Sequence, residues 1–377
     1  MSEPADTVLD DITPRRGRRW PAQVLLGAAL AWLVFTMSQL LLSGRWSLWI
    51  LADLAPALLF LVVPVVLLLC TVPFPVPRVR MPPRSRVATV LAATISLVLG
   101  IGHAGVNWAA LSPHGNNLIP AGAVKIVSWD TLYWDQSDDP DRFYAYLQEQ
   151  HADVYLLQEY VVGIPRPDTL EPVDDLGRIR EAFPGYYVAS AGELLTVSRF
   201  PIAAQIPLPA SATRPPGISY TAWPEFWTYR VLRTDLTIDG KTLSVYNLHL
   251  PDVLDLDFSP ATSTFYRMIG KLDTWRQAEF QALHADLVAN GNPAIVSGVT
   301  NTLPNMGDRH WFDGLHDAVS AGDSFYPVTL AFRGMSLWRM DGTFTTSGLR
   351  TDSYRLVDPQ GMSTHRLQAF AVSRTGA

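Results

Sequence analysis

The stretch VYLLQE, residues 154–159, is a short apolar run that ends in Gln158 and Glu159. A run of this length, bounded by polar residues, predicts a buried β-strand. Other short polar motifs occur at the ends of predicted strands, in this order along the chain: SWD (128–130), NLH (247–249), SGVTN (297–301), RMD (339–341) and STH (363–365). Any one of these motifs arises easily by chance, but the whole ordered series is strong evidence for a single fold.

The order of predicted elements indicates the fold class. From residue 124 onward, strands alternate with helical patterns in the manner of βαβ units. The middle of the chain changes to successive strands, and a long helix is predicted over residues 263–289. Two packed sheets flanked by helices fit this mixture better than one doubly wound sheet. We therefore predict an α/β (α+β) fold over residues 124–377, a four-layer α/β/β/α sandwich.

The N-terminal third of the chain is strongly apolar. Apolar residues make up 48% of the chain and charged residues 17%, which is too apolar for an ordinary soluble protein of 377 residues. Three segments, residues 22–42, 48–70 and 87–111, are each near the ~20 residues that a helix needs to cross a bilayer. Buried core helices or a cleaved signal peptide are the alternative, but three such runs exceed one short signal. The sequence predicts three transmembrane helices.

The arginines predict how these helices are oriented, because Lys and Arg near span ends are retained in the cytoplasm. Four arginines precede the first segment and four lie between the second and third: Arg15, Arg16, Arg18, Arg19, Arg78, Arg80, Arg84 and Arg86. Only Arg45 lies between the first and second segments, and the next basic residue after the third is Lys125. The predicted order is a cytoplasmic tail (1–20), a membrane domain (21–111), a linker (112–123) and an extracytoplasmic domain (124–377).

Charge and cysteine content exclude two further features. The net charge of −6 and the pI of about 5.7 leave no basic surface of the kind that neutralises nucleic-acid phosphates. Nucleic acid is therefore an unfavourable partner. The single cysteine, Cys70, excludes an intrachain disulfide.

Residues 124–374, which contain these motifs, resemble the endonuclease/exonuclease/phosphatase superfamily, the DNase-I-like fold. In its arrangement, with the apolar segments first and the predicted extracytoplasmic domain after them, the chain is most similar to the membrane-anchored bacterial members of that superfamily. The resemblance implies Mg²⁺ or Mn²⁺ as cofactor, since phosphate ester cleavage needs a hard cation and carboxylates that hold it. Glu159 matches the principal metal-binding glutamate. Asp130 stands where the family usually has asparagine and keeps an oxygen ligand beside Glu159.

The resemblance also implies catalytic roles for four residues. His249 matches the histidine that contacts the scissile phosphate and can protonate the leaving group. His365 matches the closing histidine, and Asp341 matches the acidic residue that orients its ring. An imidazolium held by a carboxylate is suited to stabilising negative charge. Asn301 remains in its motif and is expected to bind phosphate or hold the geometry of the site.

Two positions depart from the family pattern. The fourth motif is normally Gly-Asp-x-Asn, but Val299 replaces the aspartate that aligns or deprotonates the attacking water. The last motif is normally Ser-Asp-His, but Thr364 supplies only a hydroxyl. Loss of a general base typically costs about 10²- to 10⁴-fold in rate. Asp130 is the clearest candidate for a substitute acid, and the sequence does not place three further candidates: Asp308, Asp313 and Asp317.

These observations leave three functions open. The first is a membrane-anchored, metal-dependent phosphoesterase that hydrolyses a phosphate ester, including a lipid-linked phosphate, outside the cytoplasm. The second is a pseudoenzyme that binds a ligand or acts as a scaffold at the membrane, which Val299 and Thr364 favour. The third is a subunit of a membrane complex, which the lack of ionisable residues in mid-membrane disfavours.

Overall fold

The computed structural model describes residues 20–72, 81–112, 119–134, 139–163, 170–210 and 223–375. The predicted cytoplasmic tail up to residue 19, two of the arginines between the apolar segments, and half of the predicted linker lie outside the described residues. The α-helices are α1 (Trp20–Leu42), α2 (Ile50–Asp53), α3 (Leu59–Leu69), α4 (Pro83–Gly100), α5 (Pro140–Glu149), α6 (Leu176–Ala182), α7 (Pro224–Thr228) and α8 (Ser263–Ala289). The strands are β1 (Val124–Asp130), β2 (Val154–Gln158), β3 (Val161–Gly163), β4 (Leu170–Pro172), β5 (Tyr187–Ala191), β6 (Leu194–Ser198), β7 (Ile202–Pro209), β8 (Tyr229–Ile238), β9 (Lys241–His249), β10 (Ala294–Val299), β11 (His316–Asp317), β12 (Leu330–Phe332), β13 (Met335–Trp338), β14 (Asp341–Thr345), β15 (Leu349–Val357) and β16 (Leu367–Arg374).

The chain divides into two compact units. The first comprises Met1–Ser38 and Leu59–Ile101, and the second comprises Gln39–Leu58 and Gly102–Ala377. In the first unit, α1, α3 and α4 pack through small and aliphatic side chains such as Ala29, Leu67 and Ala93. Large apolar side chains on the other faces are exposed, as expected for helices whose surroundings are apolar.

Within the described part of the chain, two helices are long and apolar enough to cross a membrane, Trp20–Leu42 and Pro83–His103. The prediction of a third such helix over residues 48–70 is not confirmed. That segment is broken into a 3₁₀ turn, the short α2 and the 11-residue α3. Pro56 lies at the break, where it lacks an N–H and biases the preceding residue away from helical geometry.

Polar contacts hold the segment Gln39–Leu58 within the second unit. The Asp53 carboxylate accepts hydrogen bonds from Gln39 and from Ser43 Oγ, the latter at 2.7 Å. Asn305 donates to the Asp53 carbonyl at 2.7 Å, and Gln39 donates to the Asn305 carbonyl at 2.8 Å. Ser43 approaches Gly307 so closely that a Cβ on Gly307 would lie 2.2 Å from the Ser43 carbonyl oxygen. The segment before α3 is therefore built into the loop that follows Asn301.

The second unit contains two six-stranded sheets. The first has the order β15-β16-β1-β2-β6-β5 and the second the order β11-β14-β10-β9-β8-β7. Strands β1 and β2 are parallel and joined through α5, as the predicted βαβ start requires. Strands β9 and β10 are also parallel and are joined through α8. The remaining pairs within these two sheets are antiparallel.

Alternate side chains of the strands pack in opposite directions. In β1, Val127 packs with Phe143 of α5, whereas Ile126 packs with residues of the second sheet such as Val245. On the far side of the second sheet, Val296 packs with Phe280 of α8. The two central sheets are thus covered on both faces, which explains why their strands read as continuous apolar runs. The fold is mixed α/β with two packed sheets, consistent with the predicted sandwich.

Candidate active site

The ends of four central strands bring the polar motifs to one place. In the first sheet, Asp130 at the end of β1 pairs with Gln158 at the end of β2, so that Glu159 follows directly. In the second sheet, Val299 at the end of β10 pairs with His249 at the end of β9 and with Asp341 at the start of β14. Polar side chains from both sheets therefore meet at the same edge of the sandwich.

A pair of buried amides joins the sheets beneath this edge. Gln158 Nε2 donates to Asn247 Oδ1 at 2.6 Å. Asn247 Nδ2 in turn donates to the carbonyl oxygens of Leu157 and Leu195, each at 3.0 Å. The amides of the QE and NLH motifs thus hold Glu159 and His249 in register across the two sheets.

Asp130, Glu159 and His249 form a compact group of potential metal ligands. One ligand atom from each residue lies within 4.8 Å of the other two. The Leu132 backbone N–H donates to Asp130 at 3.0 Å, and that of Tyr133 donates to Glu159 Oε2 at 2.9 Å. Glu159 has a φ of 58°, a left-handed conformation that costs roughly 1–3 kcal/mol for a non-glycine residue. The fold therefore holds the Glu159 carboxylate in position although the backbone conformation of Glu159 is unfavourable.

The electrostatics of this group suit a cation. Burial first, and then the neighbouring Asp130 carboxylate, raises the pKa of Glu159 to about 7 from 4.5. Two carboxylates brought this close repel each other until a cation or a proton lies between them. The carboxylate oxygens of Asp130 and Glu159 suit Mg²⁺ or Mn²⁺, and the His249 imidazole lies beside them. The donor set fits the divalent cation that the motifs predict.

His365 and Asp341 form a close pair beside the metal-ligand group. His365 Nδ1 lies 3.0 Å from each Asp341 carboxylate oxygen. Burial alone would lower the pKa of His365, but the carboxylates of Asp341 and Asp130 outweigh it and raise that pKa to about 10. The ring therefore carries a positive charge at neutral pH, close to where a phosphate would approach the cation.

His249 has a charged partner that sequence reasoning missed. Its Nδ1 lies 3.1 Å from Glu193 Oε2, and Glu193 also forms a buried salt bridge with Arg230. Arg230 packs over the ring of Phe226, 4.4 Å from its centroid. The available signal was Gly192-Glu193, a two-residue hairpin loop between β5 and β6 with Gly192 at φ 56°. A carboxylate directly before a fully buried strand is unusual, and this position distinguishes Glu193 in the sequence.

For the phosphate ester hydrolysis that the motifs predict, we expect Glu193→Gln to lower the rate by about 10- to 100-fold, because partners that orient a histidine at a metal site typically have effects of this size. The glutamine keeps the shape of the side chain but removes the charge that orients the His249 ring. Steady-state rates should be measured together with the melting temperature, since Arg230 also loses its charged partner. Glu181→Gln, at an exposed position of α6, is the matched control. An unchanged rate in a folded Glu193→Gln protein would contradict this role.

Asn301 holds the loop beside the cluster. Its backbone has a φ of 47°, and its Nδ2 donates to the Leu250 carbonyl at 2.8 Å and to Asp252 Oδ1 at 3.1 Å. Val299 is 1% exposed and Thr364 is exposed, so neither position supplies an acid. The site lacks a carboxylate at both departures from the predicted motifs.

The downstream acids that sequence reasoning left unplaced are engaged elsewhere or exposed. Asp308 accepts hydrogen bonds from Arg276 and Gln277, at 3.3 Å and 2.8 Å. Asp317 is held between two arginines, Arg309 and Arg339. Asp313 is exposed at the end of a 3₁₀ turn. None of the three lines the cavity described next.

A cavity of about 400 Å³ opens beside Glu159 and His249. Half of its lining residues are leucine, phenylalanine or tryptophan: Leu170, Phe226, Trp227, Leu250, Leu254, Leu256, Leu272 and Trp275. Its acidic residues after His249 are Asp252, Asp255 and Asp257. The cavity therefore places an apolar wall next to the metal-ligand group.

Comparison with solved structures finds proteins with related chain folds. An endonuclease/exonuclease/phosphatase from Beutenbergia cavernae matches at 15% identity and a TM-score of 0.47, over 68% of this chain and 73% of its own. A protein of the same description from Leptotrichia buccalis matches at 16% identity and a TM-score of 0.46, over 67% of this chain and 100% of its own. Sphingomyelinase C from Streptomyces griseocarneus matches at 13% identity and a TM-score of 0.45, over 67% of this chain and 99% of its own.

Two of these structures carry the endonuclease/exonuclease/phosphatase description that the motifs predict. No family model and no curated protein matches the chain. The chemistry of the site is therefore argued from this chain's own residues.

Proposed function

We propose that this protein is a membrane-tethered, divalent-metal-dependent phosphoesterase that acts on a phosphate ester outside the cytoplasm. The observation that carries the proposal is the group formed by Asp130, Glu159 and His249, whose ligand atoms lie within 4.8 Å of one another. The charged His365 beside it adds a fixed positive charge. Such a site attracts a cation and a phosphate together.

In this proposal Asp130 and Glu159 hold Mg²⁺ or Mn²⁺. When bound, the cation offsets negative charge on the phosphoryl oxygens. The raised pKa of Glu159 supports the assignment, because a carboxylate crowded by another carboxylate gains most from a neighbouring cation.

The other site residues act on the phosphate. His365, kept protonated by Asp341, stabilises the charge that develops on the phosphoryl oxygens. His249, oriented by Glu193, protonates the leaving oxygen. Asn301 fixes the loop that borders the reacting centre.

The walls of the cavity support a substrate that carries an apolar group next to its phosphate. Aromatic and leucine side chains line the space beside Glu159 and His249. A lipid-linked phosphate meets this requirement and is available to a domain held at the membrane. The acidic cavity and the net charge of −6 oppose a polyanion such as nucleic acid.

The membrane helices would place this domain outside the cytoplasm. Both α1 and α4 lead, at their C-terminal ends, into segments of the second unit. If both helices cross in the same direction, the chain between them must cross back, and the apolar α3 with its flanking residues is the segment available. The arginines before α1 and before α4 then lie on the cytoplasmic side.

Single-cysteine labelling tests this topology. In a Cys70→Ala background, we expect a cysteine at the exposed position 149 of α5 to react with a membrane-impermeant maleimide in intact cells. A cysteine at position 85, close to Arg84 and Arg86, should react only after lysis. The reverse pattern would place the domain in the cytoplasm.

Phosphate release by the full-length protein in detergent micelles or liposomes tests the activity. The panel should contain para-nitrophenyl phosphate, bis(para-nitrophenyl) phosphate and lipid phosphates, each with Mg²⁺, with Mn²⁺ and with chelator. Release that requires the cation supports the proposal. No release from folded, cation-loaded protein across the whole panel would contradict it.

The second candidate is a pseudoenzyme that binds a phosphate-bearing ligand without turnover. Val299, buried between His249 and Asp341, and the exposed Thr364 favour it, because both usual acids are missing. In that case Val299→Asp combined with Thr364→Asp should create activity in a protein that has none.

A further inference from the structure

Hydrolysis at this site requires a base for the attacking water, and residue 299 cannot supply one. Strand β10 pairs Val299 with His249 on one side and with Asp341 on the other. Laterally paired residues point to the same face of a sheet, so the Val299 side chain lies between two groups of the site. An apolar side chain thus occupies the position from which a carboxylate would reach the water.

Most acids near this position already have another partner. Asp130 and Glu159 belong to the metal-ligand group. The remaining engaged acids are Asp341, held by His365, and Glu193, held by His249 and Arg230. A substitute base has to be a carboxylate that faces the cavity and has no such commitment.

Asp252 meets this description. It lies three residues after His249, it is exposed, and it lines the same cavity as Glu159 and His249. Among the residues that the structure describes, no Lys, Arg or His forms a salt bridge with it. The cationic group of the cavity wall is Arg230, which interacts with the Asp252 charge but forms its salt bridge with Glu193. Its carboxylate is therefore open to water.

Asn301 holds Asp252 in place. Asn301 Nδ2 donates to Asp252 Oδ1 at 3.1 Å and to the Leu250 carbonyl at 2.8 Å, and the Leu250 N–H donates to the Val299 carbonyl at 2.9 Å. These bonds fasten the loop after β9 to the end of β10. One carboxylate oxygen is fixed by a neutral amide, and the second is left for water.

Tyr133 and Asp252 line the same cavity as Glu159 and His249. Burial first, and then the carboxylates of Glu159, Asp130 and Asp252, raises the pKa of Tyr133 to about 12. Asp252 therefore acts on the same phenol as the two carboxylates of the cluster.

We propose that Asp252 is the general base of the reaction and replaces the carboxylate that Val299 lacks. This inference rests on the proposed phosphoesterase function. A water oxygen forms a bond to phosphorus while Asp252 takes one of its protons. The bond from phosphorus to the ester oxygen breaks, and the leaving oxygen keeps the electron pair and receives a proton from His249. The second role of Asn301 is then to position this base.

The test compares Asp252→Asn with the wild type, both as full-length protein with Mn²⁺ and bis(para-nitrophenyl) phosphate. Para-nitrophenolate leaves without a proton, so the rate of this probe reports on activation of the water. The asparagine keeps an oxygen for the bond from Asn301 and removes only the basic group. We expect kcat to fall by about 10²- to 10⁴-fold. KM, Mn²⁺ affinity by calorimetry and the melting temperature should stay unchanged.

Two further variants separate a base from a structural residue. Val299→Asp in the Asp252→Asn background returns a carboxylate to the site from β10. The double variant should be at least ten-fold faster than Asp252→Asn alone. The acidic limb of the pH–rate profile should disappear in Asp252→Asn and return in the double variant. Asp313→Asn, an exposed acid outside the cavity, is the matched control and should match the wild type in all these measurements.

The outcomes distinguish the inference from the function on which it rests. An active wild type with Asp252→Asn within about three-fold of it, or with the acidic limb intact, overturns the role of Asp252 and leaves the phosphoesterase in place. A wild type without cation-dependent activity overturns both. Loss of Mn²⁺ binding in Asp252→Asn would make Asp252 a metal ligand and overturn its role as the base.

Discussion

Glu159→Gln is expected to lower cation-dependent hydrolysis by at least about 100-fold, because metal assistance contributes several kcal/mol and each 1.36 kcal/mol is ten-fold in rate. The amide keeps the shape of the side chain and its contact with the Tyr133 N–H. It removes the charge that holds the cation beside Asp130. Calorimetric titration with Mn²⁺ should show weakened binding together with the loss of rate.

The same substitution should change how stability depends on pH. The pKa of Glu159 is about 7 in the folded chain and 4.5 in its reference state. The cation-free folded protein therefore holds a proton that the unfolded chain releases between these values, and stability falls as pH rises from 4.5 to 7. A divalent cation displaces this proton, so its stabilising effect should be larger at pH 8 than at pH 5.

Thermal melts with and without Mn²⁺ at several pH values measure this coupling. In Glu159→Gln, the shift in melting temperature caused by the cation should be small and should not grow with pH. Glu181→Gln should behave as the wild type. A metal affinity that is flat between pH 5 and 8 in the wild type would contradict the assignment of Glu159 as a ligand.

His365→Ala is expected to lower the rate by about 10²- to 10³-fold, the usual cost of removing one group that stabilises charge in the transition state. Asp341→Asn should have a different effect. Without that carboxylate the pKa of His365 falls toward 6.5, because Asp341 is the largest influence that raises it. Activity should then be nearest to the wild type at pH 6 and decline above about pH 7, whereas wild-type His365 stays protonated to about pH 10.

Rates measured between pH 6 and 9.5 separate the two variants. His365→Ala should be slow throughout the range, and only Asp341→Asn should lose activity as pH rises. His316→Ala, at an exposed position of β11, is the control. If Asp341→Asn keeps the wild-type profile, His365 does not act as a cation.

The elements best predicted from the sequence are those buried by packing on both sides. The strand predicted within residues 154–159 matches β2, and the helix predicted over residues 263–289 matches α8, because their apolar residues run together or repeat without interruption. The strands β7 and β15 carry a weaker pattern. Both are edge strands, and edge strands are half exposed and tolerate prolines such as Pro207 and polar runs such as Arg350–Asp352.

The candidate site was suggested by the sequence where a motif carries its own chemistry, as at Asp130, Glu159 and His249. It was not predictable where two residues far apart in sequence neutralise each other. Glu193 and Arg230 are 37 residues apart and meet in the interior. Asp252 was missed because an acid in a loop has no pattern, and only its bond from Asn301 distinguishes it.

The segment Gln39–Leu58 has a consequence for how this protein is made. It leaves the ribosome some 250 residues before its partners Asn305 and Gly307, yet Ile50 and Leu54 pack in one cluster with Leu303, Met306 and Met340. The loop after Asn301 can therefore reach its final packing only against the segment Gln39–Leu58, which is synthesised much earlier. Cleavage of the chain after residue 112 would separate Ile50 and Leu54 from Leu303, Met306 and Met340, and the C-terminal fragment would lose part of its apolar core.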